Sequence, residues 1–222
     1  MIVRPQLNGG INMKPNFNNH DTSFDYDNAT YGTHWVYYRN GNYNVHLNTK
    51  DGTKIRDNDG DNLTPSFAES MDITITHHCD GGCEFCYAGC TTGGQHADLL
   101  HSKFFDTLHP YTEIAINGND LTHPDLYWFL VKMKKKHVIV NMTVNQRHFM
   151  KHLLKLYQFV QMELIHGLGI SIVSGAITKE FIEAVQDFPN AIIHAIYGVV
   201  TVKDWEKLAN PHLKILLLGY KT

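Results

Sequence analysis

The sequence lacks the features that would place the protein in a membrane, outside the cell or on nucleic acid. Its 222 residues contain no stretch of about 18 consecutive apolar residues, so no membrane-spanning helix is expected. The first six residues, Met1 to Gln6, lack the apolar core of a signal peptide. The net charge is −3 and charged runs are short, which gives no electrostatic signal for nucleic-acid binding. The length and the 43% hydrophobic content predict one globular domain, with or without a small appendage.

Cysteine is also scarce, and its four occurrences lie between Cys79 and Cys90. So close a set makes a poor disulfide framework and a good metal site. We therefore predict a reducing, cytoplasmic location. No second, separated cysteine pair is present to build the two-pair arrangement that is common in structural zinc sites.

The spacing of the first three cysteines carries the strongest functional signal. They form the run Cys79-Asp-Gly-Gly-Cys83-Glu-Phe-Cys86, which follows a strand-like segment at 72–76. Phe85 places an aromatic residue directly before the third cysteine. Thiolates are soft ligands that suit iron–sulfur clusters or zinc. Three of them can occupy three corners of a cubane cluster and leave the fourth iron open.

This Cys-x3-Cys-x2-Cys pattern closely resembles the signature of the radical S-adenosylmethionine (radical SAM) superfamily. The resemblance implies a 4Fe–4S cluster on Cys79, Cys83 and Cys86, with S-adenosylmethionine (SAM) on the open iron and Phe85 among the cofactor-binding residues. It also implies a flavodoxin or ferredoxin-type reductant. Reductive cleavage of SAM would give a 5′-deoxyadenosyl radical that abstracts hydrogen from substrate. Residues 87–98 resemble the corresponding loop of phage-type and peptide-modifying members.

A second class of function stays open, a zinc-stabilised or redox-sensing binding module without catalysis. Such a module would use the same three cysteines and one of His77, His78 or Cys90. Cys90 is otherwise an auxiliary thiol, a hydrogen-atom donor or an inert loop residue. No cysteine follows it, so a second iron–sulfur cluster is not expected in this chain.

Strand and helix patterns alternate from Asp72 onward. Strands are predicted at 72–76, 113–117, 138–144, 169–173, 192–197 and 213–218, and helices at 97–108, 124–136, 147–161, 179–188 and 202–208. Such alternation predicts an α/β fold of parallel strands with helical crossovers, but does not separate a barrel from an open doubly wound sheet. The family resemblance implies a partial (β/α)6 TIM-type barrel.

The residues before the barrel predict a smaller unit. Residues 1–30 are rich in Asn and aperiodic, and we interpret them as a loop or arm. Aromatic and β-branched residues flank Asn40-Gly41, a strong hairpin signal, and residues 53–55 suggest a third strand. We therefore divide the chain into an arm and antiparallel β meander at 1–70 and a barrel at 71–222. The meander is expected to cap the barrel or its substrate opening.

The end of the chain follows the last predicted strand directly. No helix is predicted to cover the apolar residues of 213–218. Exposed apolar patches mark missing partners. We therefore expect a truncated or minimal protein.

Polar residues after the second barrel strand are candidate SAM ligands. Asn117-Gly118-Asn119-Asp120 lies where radical SAM proteins carry a Gly-Gly-Glu-Pro type segment that binds the ammonium group of SAM. Gly118 matches the second glycine, whereas the other three residues depart from the pattern. Their carbonyl groups and side chains can still accept from an ammonium group. A polar strand-to-helix turn is the alternative interpretation.

Later strands supply the remaining candidates. Ser171 resembles a polar position near the SAM ribose in related proteins, and Asn145 is proposed for a similar role. On the third barrel strand polar and apolar side chains alternate, so the polar set should face the lumen and position substrate. That set is Asn141, Thr143 and Asn145, and the apolar set is Val140, Met142 and Val144. The substrate, small-molecule, peptide or nucleotide-type, and the catalytic residues are not determined.

Overall fold

The computed structural model describes residues 34–58, 60, 62–119, 121–209 and 212–220. The predicted arm at 1–30 lies outside this range. An antiparallel sheet of β1 (Trp35–Asn40), β2 (Tyr43–Asn48) and β3 (Lys54–Asp57) precedes a six-stranded parallel sheet. The parallel strands are β4 (Ser70–Ile73), β5 (Glu113–Asn119), β6 (Ile139–Asn145), β7 (Gly167–Ser171), β8 (Ala191–Ile196) and β9 (Ile215–Leu218).

The six parallel strands pair in chain order, β4 to β9, and form a half-barrel. Helices follow four of them. These are α1 (Leu126–Lys135) after β5, α2 (Gln146–Lys151) and α3 (Leu153–Gln161) after β6, α4 (Lys179–Gln186) after β7, and α5 (Val202–Leu208) after β8. The predicted partial β/α barrel and the predicted meander are therefore confirmed.

The faces of β6 follow its alternating sequence. Val140, Met142 and Val144 are each 1% exposed and belong to the core that contains helix residues such as Phe129 and Phe149. Their polar neighbours, Asn141, Thr143 and Asn145, are half-buried on the opposite, inner face. The predicted orientation of this strand is therefore confirmed.

Two helix predictions were wrong in detail. The segment at 97–108 contains only one short 3-10 helix, Lys103–Asp106, because its first residues hold other partners. The Ala97 N–H donates to the Ile75 carbonyl, and the Asp98 carboxylate accepts from the His101 N–H, as in an Asx turn.

The predicted helix at 147–161 is divided into α2 and α3. The break lies at His152, where φ is −122° and ψ is 27°. Neither Pro nor Gly marks this position, so the sequence carries no local signal for it.

The meander covers the base of the half-barrel, at the N-terminal ends of its strands. Its buried residues pack with Tyr111 and Ile139, which lead into β5 and begin β6. Lys54 pairs with Glu113 at 2.5 Å, and Asn190 donates to the Lys50 carbonyl at 2.8 Å. Because the cysteine loop follows the C-terminal end of β4, the meander closes the end of the barrel opposite to the cysteines.

Strand β9 forms one edge of the parallel sheet. Ile215, Leu216 and Leu217 are 36%, 47% and 55% exposed, and no described helix covers them. The apolar exposure predicted for this strand is therefore present.

Among the described helices, none has the length and apolar character needed to cross a membrane.

Candidate metal centre

The cysteines lie on a loop that leaves the barrel after β4 and returns to the same place. Its two ends are joined by backbone hydrogen bonds. Cys79 donates to the Thr91 carbonyl at 3.0 Å, Thr91 donates to the His77 carbonyl at 3.0 Å, and His77 donates to the Gln95 carbonyl at 2.9 Å. The loop is thus closed at its base, which places all four cysteines together above the sheet.

Each of the three motif sulfurs accepts one N–H hydrogen bond. The donors come from the loop backbone twice and from the end of β6 once. They are the Gly81 N–H to Cys79 Sγ at 3.3 Å, Asn145 Nδ2 to Cys83 Sγ at 3.1 Å, and the Cys90 N–H to Cys86 Sγ at 3.5 Å. Such donors favour sulfur in its anionic form and are a main determinant of the properties of sulfur-ligated metals.

The four thiols are half-buried and form no disulfide, and Cys83 and Cys86 are close enough to interact electrostatically. Burial raises the pKa of the Cys83 thiol, and the nearby Cys86 raises it further, while the Arg147 guanidinium lowers it. Sulfurs that repel one another as thiolates are the arrangement expected where a cation would neutralise them.

The distances between the sulfurs indicate whether they could bind a single metal ion or a larger cluster. Cys79 Sγ and Cys83 Sγ lie 3.2 and 3.6 Å from the point that a Cβ at Gly81 would occupy, so both sulfurs lie close to this glycine. The three motif sulfurs do not all lie within 4.8 Å of one another. Three thiolates on one zinc ion would be separated by about 3.8 Å, given a Zn–S bond of about 2.3 Å. At least one pair of the motif sulfurs is therefore farther apart than two thiolates on one zinc ion would be.

One described group of three donors is compact enough for a single ion. Cys79, Asp80 and His148 place one ligand atom each within 4.8 Å of the others. His148 is 3% exposed, its Nε2 contacts Asp80 Oδ1 at 2.5 Å, and its Nδ1 is buried without a hydrogen-bond partner.

Helix α2 holds the cysteine loop through its first turns. Besides His148, Lys151 Nζ lies 3.5 Å from Asp80 Oδ2, and Arg147 Nη1 donates to the Gly81 carbonyl at 3.4 Å. The hydrogen bond from His148 keeps the pKa of Asp80 below its ordinary value. No sequence motif indicates a role for Asp80, Arg147 or His148. The loop and helix α2 are more than sixty residues apart in the chain, and no local sequence pattern links them.

Asn117 and Asn119 bind the start of the cysteine loop. Asn117 Oδ1 accepts from the Ile75 N–H at 2.6 Å and its Nδ2 donates to the Thr76 carbonyl at 2.7 Å. Asn119 Nδ2 donates to the Thr76 and His78 carbonyls at 2.9 and 3.1 Å, and contacts Cys90 Sγ at 3.4 Å. These two side chains continue the hydrogen bonding between β4 and β5 beyond the end of β4. This structural role was not predicted from the sequence, which suggested only a contact with SAM.

The rest of this predicted SAM segment is also shaped by the fold. A Cβ at Gly118 would lie 2.8 Å from Met142 Sδ, so packing against β6 requires glycine. Asp120 lies outside the described residues. On either side of it Asn119 and Leu121 have φ of 45° and 61°, the left-handed region that is costly for leucine. Leu121 is nonetheless 1% exposed, which fixes the turn.

Three histidine rings line up beside the loop. Ring centroids of His78 and His96 are 5.2 Å apart, and those of His96 and His123 are 4.6 Å apart. His96 Nδ1 is 2.8 Å from Thr76 Oγ1. Burial lowers the pKa of His123, whose Nε2 lies 3.0 Å from the Ala97 carbonyl oxygen. Of these three residues, only His78 is adjacent to a cysteine in the sequence. His96 and His123 are brought beside the loop by the tertiary structure.

The remaining predicted residues lie at or near this end of the barrel. Phe85 is half-buried within the loop. Ser171 ends β7 in register with Asn145 on β6 and His194 on β8. Asn145, predicted to lie near the SAM ribose, donates to Cys83 Sγ, and its Oδ1 accepts from the Arg147 N–H at 2.8 Å.

Similarity to known proteins adds no assignment. No protein-family model matches the chain, and no curated protein or solved structure is significantly similar to it. The described residues establish a six-stranded parallel half-barrel that carries cysteines at 79, 83, 86 and 90 above one end of its sheet.

Proposed function

We propose that this chain is a radical SAM enzyme in which Cys79, Cys83 and Cys86 hold a 4Fe–4S cluster. The observation that carries the proposal is the set of three sulfurs, each with its own N–H donor, above the C-terminal end of a parallel half-barrel. In β/α barrels this is the end at which reactive groups lie.

The donor set fits such a cluster. The ligands are soft, and three thiolates complete a cubane that leaves one iron open, so no fourth protein ligand such as Cys90 is required. When bound, the cluster would supply the electron that cleaves SAM to methionine and a 5′-deoxyadenosyl radical. The protein itself binds, orients and excludes side reactions.

The residues around the cysteine loop have different proposed roles in holding the loop, binding SAM and positioning substrate. Helix α2 fixes the loop through Arg147 and His148, and Asn145 donates to Cys83. Asn117 and Asn119 fix the start of the loop, and we propose that the 117–120 segment also receives the SAM ammonium, through its backbone carbonyls and Asp120. The polar inner face of β6 would position a small-molecule, peptide or nucleotide-type substrate, with electrons supplied by a flavodoxin or ferredoxin-type reductant.

Anaerobic reconstitution tests the proposal. The chain should bind about four irons, the cubane stoichiometry, and should form 5′-deoxyadenosine and methionine when SAM and dithionite are added. Cys79→Ala, Cys83→Ala and Cys86→Ala should each lose the iron, and the matched control Cys90→Ala should keep it. A colourless wild-type chain, or loss of iron only in the Cys90 variant, would contradict the assignment.

A zinc-binding module without catalysis is the second candidate, and the compact group of Cys79, Asp80 and His148 favours it. Zinc accepts Cys, His and carboxylate ligands in a tetrahedral site. In that case the purified chain should carry about one zinc ion, lost in His148→Ala and retained in Cys86→Ala. The cluster predicts the opposite result for Cys86→Ala, so metal analysis of these two variants separates the candidates.

A further inference from the structure

A cavity of about 310 Å³ lies inside the half-barrel, at the end opposite to the cysteine loop. Its walls are the inner faces of β5 to β8, beginning at Glu113, Ile139 and Gly167. Its floor is the turn between β2 and β3, Thr49 to Gly52. The cavity is thus a partly open space between the meander and the sheet, of a size that takes a small molecule.

The cavity exists because its inward-facing positions are small or polar. Barrel interiors are usually filled by bulky branched side chains. Here Ala115, Gly167 and Gly169 leave the space open. A Cβ at Gly167 would lie 2.7 Å from Asn141 Oδ1, and one at Gly169 would lie 2.4 Å from His194 Cε1. The glycines therefore allow polar side chains of the neighbouring strands to lie across the inner wall.

These polar side chains have hydrogen-bonding capacity that the fold does not use. Among the described residues, no hydrogen bond is made by the side chains of Asn141, Thr143 or His194, and His166 Nδ1 is buried without a partner. Of these groups only His166 Nδ1 is fully buried, where a polar atom is nearly always paired with protein, water or ligand, and the other three side chains are half-buried and line the cavity. An amide, a hydroxyl and two imidazoles therefore converge on one space, where they offer both donors and acceptors.

The same groups are uncharged. Burial lowers the pKa of both His166 and His194, so their rings are neutral at pH 7. The charged groups at the rim already have partners or face solvent. Glu113 pairs with Lys54 at 2.5 Å, Lys214 donates to the Pro189 carbonyl at 2.9 Å, and Asp51 accepts from the Thr53 N–H at 2.9 Å, while Lys50 is exposed. The rim thus holds two cations and two anions, Lys50, Lys214, Asp51 and Glu113, which leave it without net charge. The groups deeper in the cavity are uncharged, so moving a charged ligand from water to them would be unfavourable.

We propose that this cavity binds an uncharged group with both hydrogen-bond donors and acceptors, of the class of a carboxamide or a nitrogen heterocycle. Thr143 is two residues before Asn145 on β6, about 7 Å along the strand from the residue that contacts Cys83. If the proposed function holds, the cavity receives the neutral end of the substrate. Binding itself does not require the cluster.

Saturation-transfer NMR on the full chain tests the proposal with four probes. Acetamide and uracil are the neutral probes, and acetate and methylammonium are charged molecules of similar size to acetamide. Acetamide and uracil should bind, and acetate and methylammonium should not. Thr143→Val and His194→Leu should each weaken uracil binding about twofold to tenfold, the effect of one hydrogen bond. Thr107→Val, a matched substitution on the outside of the barrel, should have no effect.

The binding measurement is independent of metal, so a chain that fails to form a cluster can still support the cavity proposal. The two variants lie on different strands, so a folding defect in one leaves the other informative. Absence of acetamide and uracil binding to the wild-type chain would overturn the proposal. Equal binding of the charged probes, or unchanged binding in two folded variants, would overturn it as well.

Discussion

The side chain of Asn145 connects helix α2 to Cys83, one of the proposed cluster ligands. Its Oδ1 caps α2 by accepting from the Arg147 N–H at 2.8 Å, and its Nδ2 donates to Cys83 Sγ at 3.1 Å. Each half of one amide therefore has a separate task. A substitution can separate them, because Asp is as good a helix N-cap as Asn but offers no donor to sulfur.

Asn145→Asp should leave the fold intact and lower the reduction potential of the reconstituted cluster. The lost N–H donor and the added negative charge both disfavour the electron-rich state. A change of about 1 kcal/mol corresponds to a shift on the order of 50 mV for one electron. Potentiometric titration followed by electron paramagnetic resonance measures it. Asn62→Asp, a change of an exposed residue that follows β3, is the control. An unchanged potential in Asn145→Asp would show that the contact has no effect on the cluster.

At the scale of single elements, α5 depends on one buried carboxylate. Asp204 is 1% exposed and accepts from Ser174 Oγ at 2.9 Å, from the Gly175 N–H at 3.0 Å, and from the N–H and hydroxyl of Thr201 at 3.0 and 2.7 Å. These bonds form a capping box at the helix start and join it to the loop after β7. Burial alone would raise the pKa of Asp204, but the hydrogen bonds hold it below its ordinary value.

Asp204→Ala should therefore lower the free energy of unfolding by about 2–3 kcal/mol, since several hydrogen bonds to a charged group are lost. Urea denaturation at pH 7 measures this loss. The exposed Glu206→Gln on the same helix should change stability by less than about 0.5 kcal/mol. An Asp204→Ala variant as stable as the wild type would contradict the role of the capping box.

The lowered pKa of Asp204 also predicts a pH dependence. A carboxylate whose folded pKa is depressed stabilises the fold above its unfolded pKa of about 3.9, and this stabilisation is lost as the pH falls through the folded value. The stability difference between the wild type and Asp204→Asn should therefore be constant near neutral pH and shrink below about pH 4. A difference that instead grows on acidification would contradict this sign.

At the scale of the whole molecule, the meander and the half-barrel share a hydrophobic core. Tyr38, Tyr43, Val45 and Leu47 of the meander are buried with Tyr111 and Ile139 of the barrel base. Lys54, 8% exposed at its side chain, pairs with Glu113 across the same junction. The two parts should therefore unfold together.

Leu47→Ala tests this coupling, because Leu47 is fully buried in the shared core. The substitution should destabilise the protein by about 2–5 kcal/mol, as for other large-to-small core changes. Near-ultraviolet circular dichroism, which reports the tyrosines of the junction, and far-ultraviolet circular dichroism should give one coincident transition in both wild type and variant. Two separate transitions would show that the meander unfolds by itself.

The sequence by itself determined the fold class, the meander and the position of the cysteines. These features depend on patterns within a few residues, such as the alternation on β6, the Asn40-Gly41 turn and the spacing from Cys79 to Cys86. Local conformation and side-chain direction follow directly from such patterns. Helix predictions went wrong where a local hydrogen bond competed, as at Asp98, and where no residue marked a break, as at His152. Strands β4 and β7 each begin two residues earlier than predicted.

Only the tertiary structure decided how the site is built. The contact of Asn145 with Cys83 joins residues 62 apart in the chain, and that of His148 with Asp80 joins residues 68 apart. The cavity likewise needs side chains from β5 to β8. Parallel strands bring their ends to one edge only through long crossovers, and the register between strands decides which side chains then meet. That register is set by packing of the whole sheet, so no single segment of the sequence encodes it.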